Sequence, residues 1–454
     1  MPRPPESSSY IEENKRRYSL YVLQHRAIPA ITDGLKPSGH RVLWMARNGQ
    51  KVKTATLAGS AMSIHPHAMP DTAINTLTAP FGNNIPLFDG NGVFGTKLNP
   101  TAYGASRYTS VKISEFTKDV VFRDIEIIPM QPNYDETEME PVHFLPLVPI
   151  CLLNQQEGIA VGFASDILPR ELDAIVGSQI KYLTDELLYE ELPAFTPTNQ
   201  WAQGWIDNPD GTINKYIFHG FAKKLNTTTV NISGIPYGMT NKRFEAILDK
   251  MVESGEIIDI VDNSKDNYDV TVKFKRGVIT NLDGEDLLKK IGLIITVSEN
   301  LNLIDFDGER VIKPSYGELI AMFCEWRVQF YVQRFERLKE LLEINIQKYK
   351  DIILAVNKNI GGVAKKIKSK DELREYLEAL GIVHIEYIAD LPVYRFTTEE
   401  KEKVQEKLNE ALKTLKYYNS MLKSPTKRRD LYVEELKEIQ HNWKRTQKYR
   451  NEFN

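Results

Sequence analysis

Five residues, Ala105-Ser106-Arg107-Tyr108-Thr109, follow a glycine-rich run, Asp89-Gly90-Asn91-Gly92-Val93-Phe94-Gly95. A phenol is a poor nucleophile at neutral pH, because its pKa is roughly 10. A guanidinium is permanently charged, and its flat fork matches phosphate oxygens. Arg107 beside Tyr108 could hold a phosphodiester and stabilise a phenolate together. That is the minimum a chain needs to break a nucleic-acid strand by joining itself to it. Arg-Tyr is also a common dipeptide, so the rest of the chain must supply what such a tyrosine requires.

Other motifs carry chemistry less directly. Gly90-Asn91-Gly92-Val93-Phe94-Gly95 matches GxGxxG, but a dinucleotide site needs a strand before it and a helix opening on it. Pro86 interrupts the first and Lys97-Leu98-Asn99-Pro100 the second, so a tight turn that lets backbones approach is the better reading. His65-Pro66-His67 has no cysteine or carboxylate cluster beside it and makes a weak metal site. Next to a phosphate, either histidine could donate a hydrogen bond or act as a general base. Glu157-Gly158-Ile159-Ala160-Val161-Gly162 reads either as a buried strand end or as an apolar wedge that unstacks base pairs. Asp305-Phe306-Asp307 before Gly308 reads as a hairpin turn, not a metal site. No GxxxxGK[ST] loop is present for ATP.

The totals exclude little. The chain has 454 residues, 42 % hydrophobic and 26 % charged, with a net charge of -3. That is an ordinary globular composition with room for about three domains. Residues 1–60 differ, with Arg3, Lys15, Arg16, Arg17, Arg26, Lys36, Arg41, Arg47, Lys51 and Lys53 against Glu6, Glu12, Glu13 and Asp33, a local excess of +6. Such a patch suits phosphate binding, and equally a solvated face. Cys151 and Cys324 build no disulfide framework, which fits a reducing cytoplasm. The start, Met1-Pro2-Arg3-Pro4-Pro5, is not a signal peptide, and the apolar run 145–153 is too short to span a bilayer.

The elements that must position these residues are legible in outline. Ser9 and Glu12 form a capping box for a helix over 10–26, stopped by Pro29 and Asp33-Gly34. A second helix follows Pro37, with Val42, Leu43 and Met45 inward. Residues 60–150 mix short helices and turns. Period-two alternation predicts strands over 228–232 and 268–274, and Phe244, Ile247, Leu248 and Met251 predict an amphipathic helix over 241–254 between them. Phe335, Leu338, Leu342, Tyr349, Ile352 and Val356 repeat by threes and fours, as do Val404, Leu408, Ala411, Leu415, Tyr418 and Leu422. Two such helices around an insert broken at Gly361-Gly362 predict an antiparallel coiled-coil arm with a small tip, in preference to an ordinary bundle.

In order along the chain, Arg26-Ala27-Ile28-Pro29, Asp33-Gly34-Leu35-Lys36-Pro37, His65-Pro66-His67, the 89–95 run, Arg107-Tyr108, the 157–162 run, Ile235-Pro236-Tyr237 and Leu391-Pro392-Val393-Tyr394-Arg395 resemble one family. It is the breakage-reunion subunit of type IIA DNA topoisomerases, the gyrase A/topoisomerase IV C-like chains. Each motif alone is weak, but the ordered set is specific and covers nearly the whole chain. Size, and an end just after the arm, are most similar to the medium, DNA-cleaving subunits of T-even phage topoisomerases.

The resemblance implies an α+β, multidomain fold: an N-terminal arm and helix (1–30), a winged-helix cleavage domain (31–150), an α/β tower (151–335), and a coiled coil with a dimer gate (336–454). It implies Tyr108 as the nucleophile that takes a 5′ phosphate, with Arg107, Arg26 and His67 clamping that phosphate. Lys36, His40, Arg41 and His65 would meet DNA, and Ile159 would intercalate. No metal site is expected on this chain; Mg²⁺ and ATP would sit on a Toprim/ATPase partner. A second copy of the chain, double-stranded DNA and a cytoplasmic setting, that of the host if phage-encoded, complete the expectation. Two departures stand out. Ala68-Met69-Pro70 replaces a glycine-led segment, which clouds the helix after His67, and Gly39-His40-Arg41 replaces an arginine-rich triplet. Nothing after the arm resembles a DNA-wrapping domain, so relaxation and decatenation without negative supercoiling are expected. The rival readings are a non-catalytic DNA-bending homodimer and a truncated cellular gyrase A or topoisomerase IV subunit.

Overall fold

The computed structural model describes residues 28–66, 70–160, 162–193, 215–363 and 366–452, with Asn14, Pro197 and the backbone of Gly204–Asp207. The helix expected over 10–26 lies outside the described residues. The chain divides into two compact units, one comprising Met1–Glu325 with Glu435–Asn454, the other Trp326–Glu434.

The first unit begins with helices packed beside a small sheet. Helix α1 (Pro37–Met45) starts on a proline, whose fixed φ suits the first helical position. Strand β1 (Val52–Lys53) leads into α2 (Thr54–Ile64), which buries Leu57, Ala58, Ala61 and Ile64 at helical spacing. Helix α3 (Pro70–Thr78) buries Ile74 and settles the doubt about a helix after His67. Strands β2 (Phe88–Asn91) and β3 (Ser110–Ile113) complete an antiparallel sheet in the order β1-β3-β2. Two hairpins follow: β4 (Met130–Pro132) with β5 (Met139–Pro141), and β6 (Gln156–Ala160) with β7 (Phe163–Ile167). Helix α4 (Leu172–Leu183) comes next.

A six-stranded antiparallel sheet forms another part of this unit. Strands β9 (Lys215–Lys224), β10 (Thr229–Gly234), β11 (Ile257–Asp262), β12 (Val270–Phe274) and β13 (Ile294–Ser298) stand in the order β11-β12-β10-β9-β13, and β8 (Gly204–Asp207) joins β9. Helix α5 (Asn241–Glu253) is capped by Thr240, whose side chain accepts the Arg243 N–H. It lays Phe244, Leu248 and Met251 on Val230, Ile232, Val270, Val272 and Phe274. The two strands and the helix read from periodicity are all present. Asp305 closes the expected hairpin turn, its carboxylate accepting the Glu309 and Arg310 N–H groups.

The second unit is helical. The 42-residue helix α6 (Tyr316–Asn357) belongs to it from Trp326 onward. Helix α8 (Thr398–Lys423) packs along it antiparallel: Phe335 meets Tyr417 and Tyr418, Ile346 meets Leu408 and Ala411, and Ile352 shares a cluster with Val404. Between them α7 (Lys370–Ala379) and short helices enclose Ala355, Ile360, Leu377, Ile382 and Ile388. The last helix, α9 (Pro425–Glu452), belongs to this unit only up to Glu434. The second unit thus begins within α6 and ends within α9.

Candidate active site

Tyr108 stands on a turn fastened at both ends. Its N–H and that of Thr109 reach the Ala105 carbonyl at 2.9 and 3.3 Å. The first N–H groups of α2 have no helical partners of their own. Here Thr54 N–H donates to Thr109 O at 3.1 Å and Ala55 N–H to Ser106 O at 3.2 Å, so the turn caps the helix. Thr54 and Thr109 also join through their hydroxyls at 2.8 Å. Thr109 and Ser110 are buried, whereas Tyr108 is 71 % exposed. The Arg107 guanidinium carbon lies 4.9 Å from the Tyr108 ring centroid. Lys53 Nζ donates to the Tyr108 carbonyl at 3.4 Å. One exposed cation thus lies over the Tyr108 ring and another on its backbone carbonyl, on a turn hydrogen-bonded to α2.

The glycine run works as the predicted turn. Gly90 and Asn91 sit in β2, and no helix opens on the motif. Gly92 has φ +110°, and a Cβ there would lie 3.0 Å from the Thr109 side chain. At Gly95, φ +99°, a Cβ would fall 2.3 Å from the Pro100 carbonyl oxygen. The glycines let this loop pack directly behind the Tyr108 turn.

Three residues expected on DNA have partners within the protein. His40 is buried with Nε2 2.8 Å from Asp33. Asp33 also accepts the Leu35 and Phe144 N–H groups at 3.0 and 2.8 Å. Burial alone would raise the Asp33 carboxyl; the charges of His40 and His143 and these hydrogen bonds outweigh it and hold the group below its ordinary value. Arg41 is 8 % exposed and grips Glu140 through Nε at 2.6 Å and Nη2 at 3.1 Å. The His40 ring and the Arg41 guanidinium are thus both buried and engaged by carboxylates of the chain itself. Lys36 is half-buried, with Nζ donating to the Glu157 carbonyl at 2.8 Å; burial lowers its pKa, against the pull of Glu157. It ties the start of α1 to β6.

That strand carries Ile159, which is 87 % exposed. Its register places it opposite Ala164, near the turn's Gly162 at φ +84°. Ile159 is therefore not a buried strand end but an aliphatic side chain exposed near a hairpin tip. His65 ends α2 in extended conformation, its ring packed edge to face on Tyr134. Arg26 and His67 lie outside the described residues. Among the described residues no three His, Cys, Asp or Glu side chains converge to hold a metal ion, and no helix is long and apolar enough to cross a membrane.

Sequence reasoning missed Lys53, although its place just before α2 in a basic segment was a signal. It also missed Asn133 and Tyr134, which brace the end of α2 from a distant hairpin and leave no local trace.

A family model for the A subunit of DNA gyrase/topoisomerase IV matches residues 26–437. The chain is 26 % identical over 418 residues to the DNA topoisomerase medium subunit of Enterobacteria phage T4, covering 88 % of this chain and 91 % of that protein. It is 25 % identical over 476 residues to the DNA gyrase A subunit of Chlamydia muridarum, covering 96 % of this chain and 56 % of that one. Against the Campylobacter jejuni gyrase A subunit the identity is 27 %, with 95 % and 53 % covered. The chain thus spans about half the length of the gyrase relatives. A match over most of its length, spanning the Tyr108 turn and the Ile159 hairpin, places the chain in the family of DNA gyrase/topoisomerase IV A subunits.

Proposed function

We propose that the chain is the DNA cleavage-rejoining subunit of an ATP-dependent type II DNA topoisomerase, with Tyr108 as its nucleophile. The observation that carries this is the exposed Tyr108 side chain, with Arg107 over its ring and Lys53 on its backbone carbonyl, on a turn hydrogen-bonded to α2. The phenolic oxygen attacks phosphorus as the bond from phosphorus to the 3′ oxygen breaks. The phenol proton passes to a base, the 3′ oxygen takes up a proton, and the 5′ phosphate stays on Tyr108. One phosphoester replaces another, so resealing is the same step reversed and consumes nothing. Catalysis then rests on placement and on charge around the phosphate. Arg107 and Lys53 supply that charge, and Arg26 and His67 join them by family resemblance.

In this reading α1–α3 with β1–β3 form a winged-helix domain, β8–β13 a tower, and α6 with α8 a coiled coil ending in a dimer gate. Ile159 enters the duplex and bends it. A double-strand break needs two tyrosines, hence two copies of the chain. Mg²⁺, held by a Toprim/ATPase partner, would stabilise charge on the phosphate and leaving oxygen.

The test mixes the chain, its Toprim/ATPase partner, plasmid DNA and Mg²⁺, then quenches with SDS. Linear DNA with protein on its 5′ ends, lost in Tyr108→Phe, is expected. Binding and bending without covalent product would favour a non-catalytic DNA-bending homodimer.

A further inference from the structure

We propose that Asn302 is a positioning residue for DNA bending, its side chain bracing the hairpin at the residue paired with Ile159. This rests on the reading of Ile159 as the wedge. A side chain can part stacked bases only if the backbone behind it does not yield, and a two-stranded hairpin is marginal by itself. Strands β6 and β7 are both held from outside. Lys36 fastens β6 at the Glu157 carbonyl. On the other edge of β7, Asp166 and Asn300 exchange N–H···O bonds at 3.1 and 2.9 Å, an antiparallel bridge. Bonded pairs of this kind recur at every second residue, so the next would join Ala164 to Asn302. Side chains make the connection there: Asn302 Nδ2 donates to Ala164 O at 2.6 Å, and Ser165 Oγ donates to Asn302 O at 2.8 Å. Ala164 is the partner of Ile159 across the hairpin.

The segment that carries Asn302 is itself anchored in the core. Leu301 and Leu303, on either side of it, are buried, and Leu303 and Ile304 pair with Ile312 and Val311. Ile304 N–H donates to Pro29 O and Ile304 O accepts the Ile31 N–H, both at 2.9 Å. A push on Ile159 therefore passes to Ala164, then through the Asn302 amide to a fixed strand. One hydrogen bond biases an equilibrium by roughly 2- to 12-fold. Without the Asn302 amide, the bent state of the DNA should lose population by a similar factor. The loss should depend on the DNA: an intact duplex resists bending, and a gap at its centre removes most of that resistance.

The experiment combines the full chain and its Toprim/ATPase partner with Mg²⁺ and a duplex labelled at both ends. A Tyr108→Phe background blocks cleavage, so energy transfer reports bending alone. Asn302→Ala should lower the bent-to-unbent ratio about fivefold on the intact duplex. On a duplex with a short central gap it should bend DNA as the parent does, which also shows that the variant is folded. Ser165→Ala, which removes the second bond, should lower the ratio in the same sense. Ile159→Ala combined with Asn302→Ala should bend no less than Ile159→Ala alone, because the brace acts through the wedge. A parental ratio for Asn302→Ala on the intact duplex, an equal loss on the gapped one, or additive losses in the double variant would each overturn the inference. Full bending by Ile159→Ala would instead remove the wedge reading on which it rests.

Discussion

Replacing Arg41 with alanine separates a structural arginine from a DNA-binding one. Arg41 spans two short hydrogen bonds to Glu140, at 2.6 and 3.1 Å, and both side chains are buried. Glu140 has one further side-chain donor, Gln131 Nε2, at a weak 3.4 Å. Truncating Arg41 therefore strands a buried carboxylate, which costs about 3–5 kcal/mol. The pair also links α1 to β5, so the loss should appear as a lower midpoint in chemical unfolding. A phosphate contact would behave differently. Losing it would leave the midpoint in place and flatten the slope of log K against log salt by about 0.9. The assay is urea unfolding beside salt-dependent binding of a duplex in the absence of Mg²⁺. Glu140→Gln should lower the midpoint too, although no carboxylate would be expected to seek DNA. Arg41→Met with Glu140→Leu should recover much of the loss, because the uncompensated charge is gone. An Arg41→Ala chain with unchanged midpoint and a flatter salt slope would overturn this and return Arg41 to the DNA surface.

Asp166 sits across from Glu157 on the wedge hairpin, and burial, with Glu157 and Glu299, pushes its carboxyl up to about 6. A raised carboxyl binds protons in the native state that the unfolded chain has released, so stability falls as pH rises from about 4 through about 6. Asp166→Asn should remove that loss, gaining ~1 kcal/mol at pH 7.5 after discounting for partial exposure and little at pH 4, as read by unfolding at both pH values. Glu136 holds φ +59° in the β4–β5 turn, where glycine is unstrained, and Glu136→Gly should raise stability by about 0.5–1 kcal/mol in the same assay. Ile159→Ala should leave the unfolding midpoint within error and reduce the DNA bend measured by end-to-end energy transfer; an unchanged bend would deny the wedge.

What the sequence made legible divides by range. Strands β10 and β12 alternate cleanly because one face meets α5, and the helix shows its stripe for the same reason. Strand β11 was not legible: it exposes Ile258 and Val261, so its apolar residues do not mark a buried face. Tyr108, Arg107 and Ile159 could be picked out because their roles would depend on exposure and local spacing, which motifs preserve. The burial of Arg41 was not legible because its partner lies elsewhere in the fold, Glu140 being 99 residues away. A basic residue in a basic segment gives no sign of a carboxylate that will reach it only after folding. Asn133 and Tyr134 escaped for the same reason, since a turn sequence does not announce which helix end it will brace.

The functional reading turns on a covalent bond between one tyrosine and DNA. Complexes trapped with SDS can be digested with nuclease and protease, and the peptide that keeps a nucleotide identified by mass spectrometry. A phosphodiester-linked nucleotide on Tyr108 is expected, with the DNA 5′ ends blocked and the 3′ ends free. A nucleotide on any other residue, or attachment through a 3′ phosphate, would contradict it.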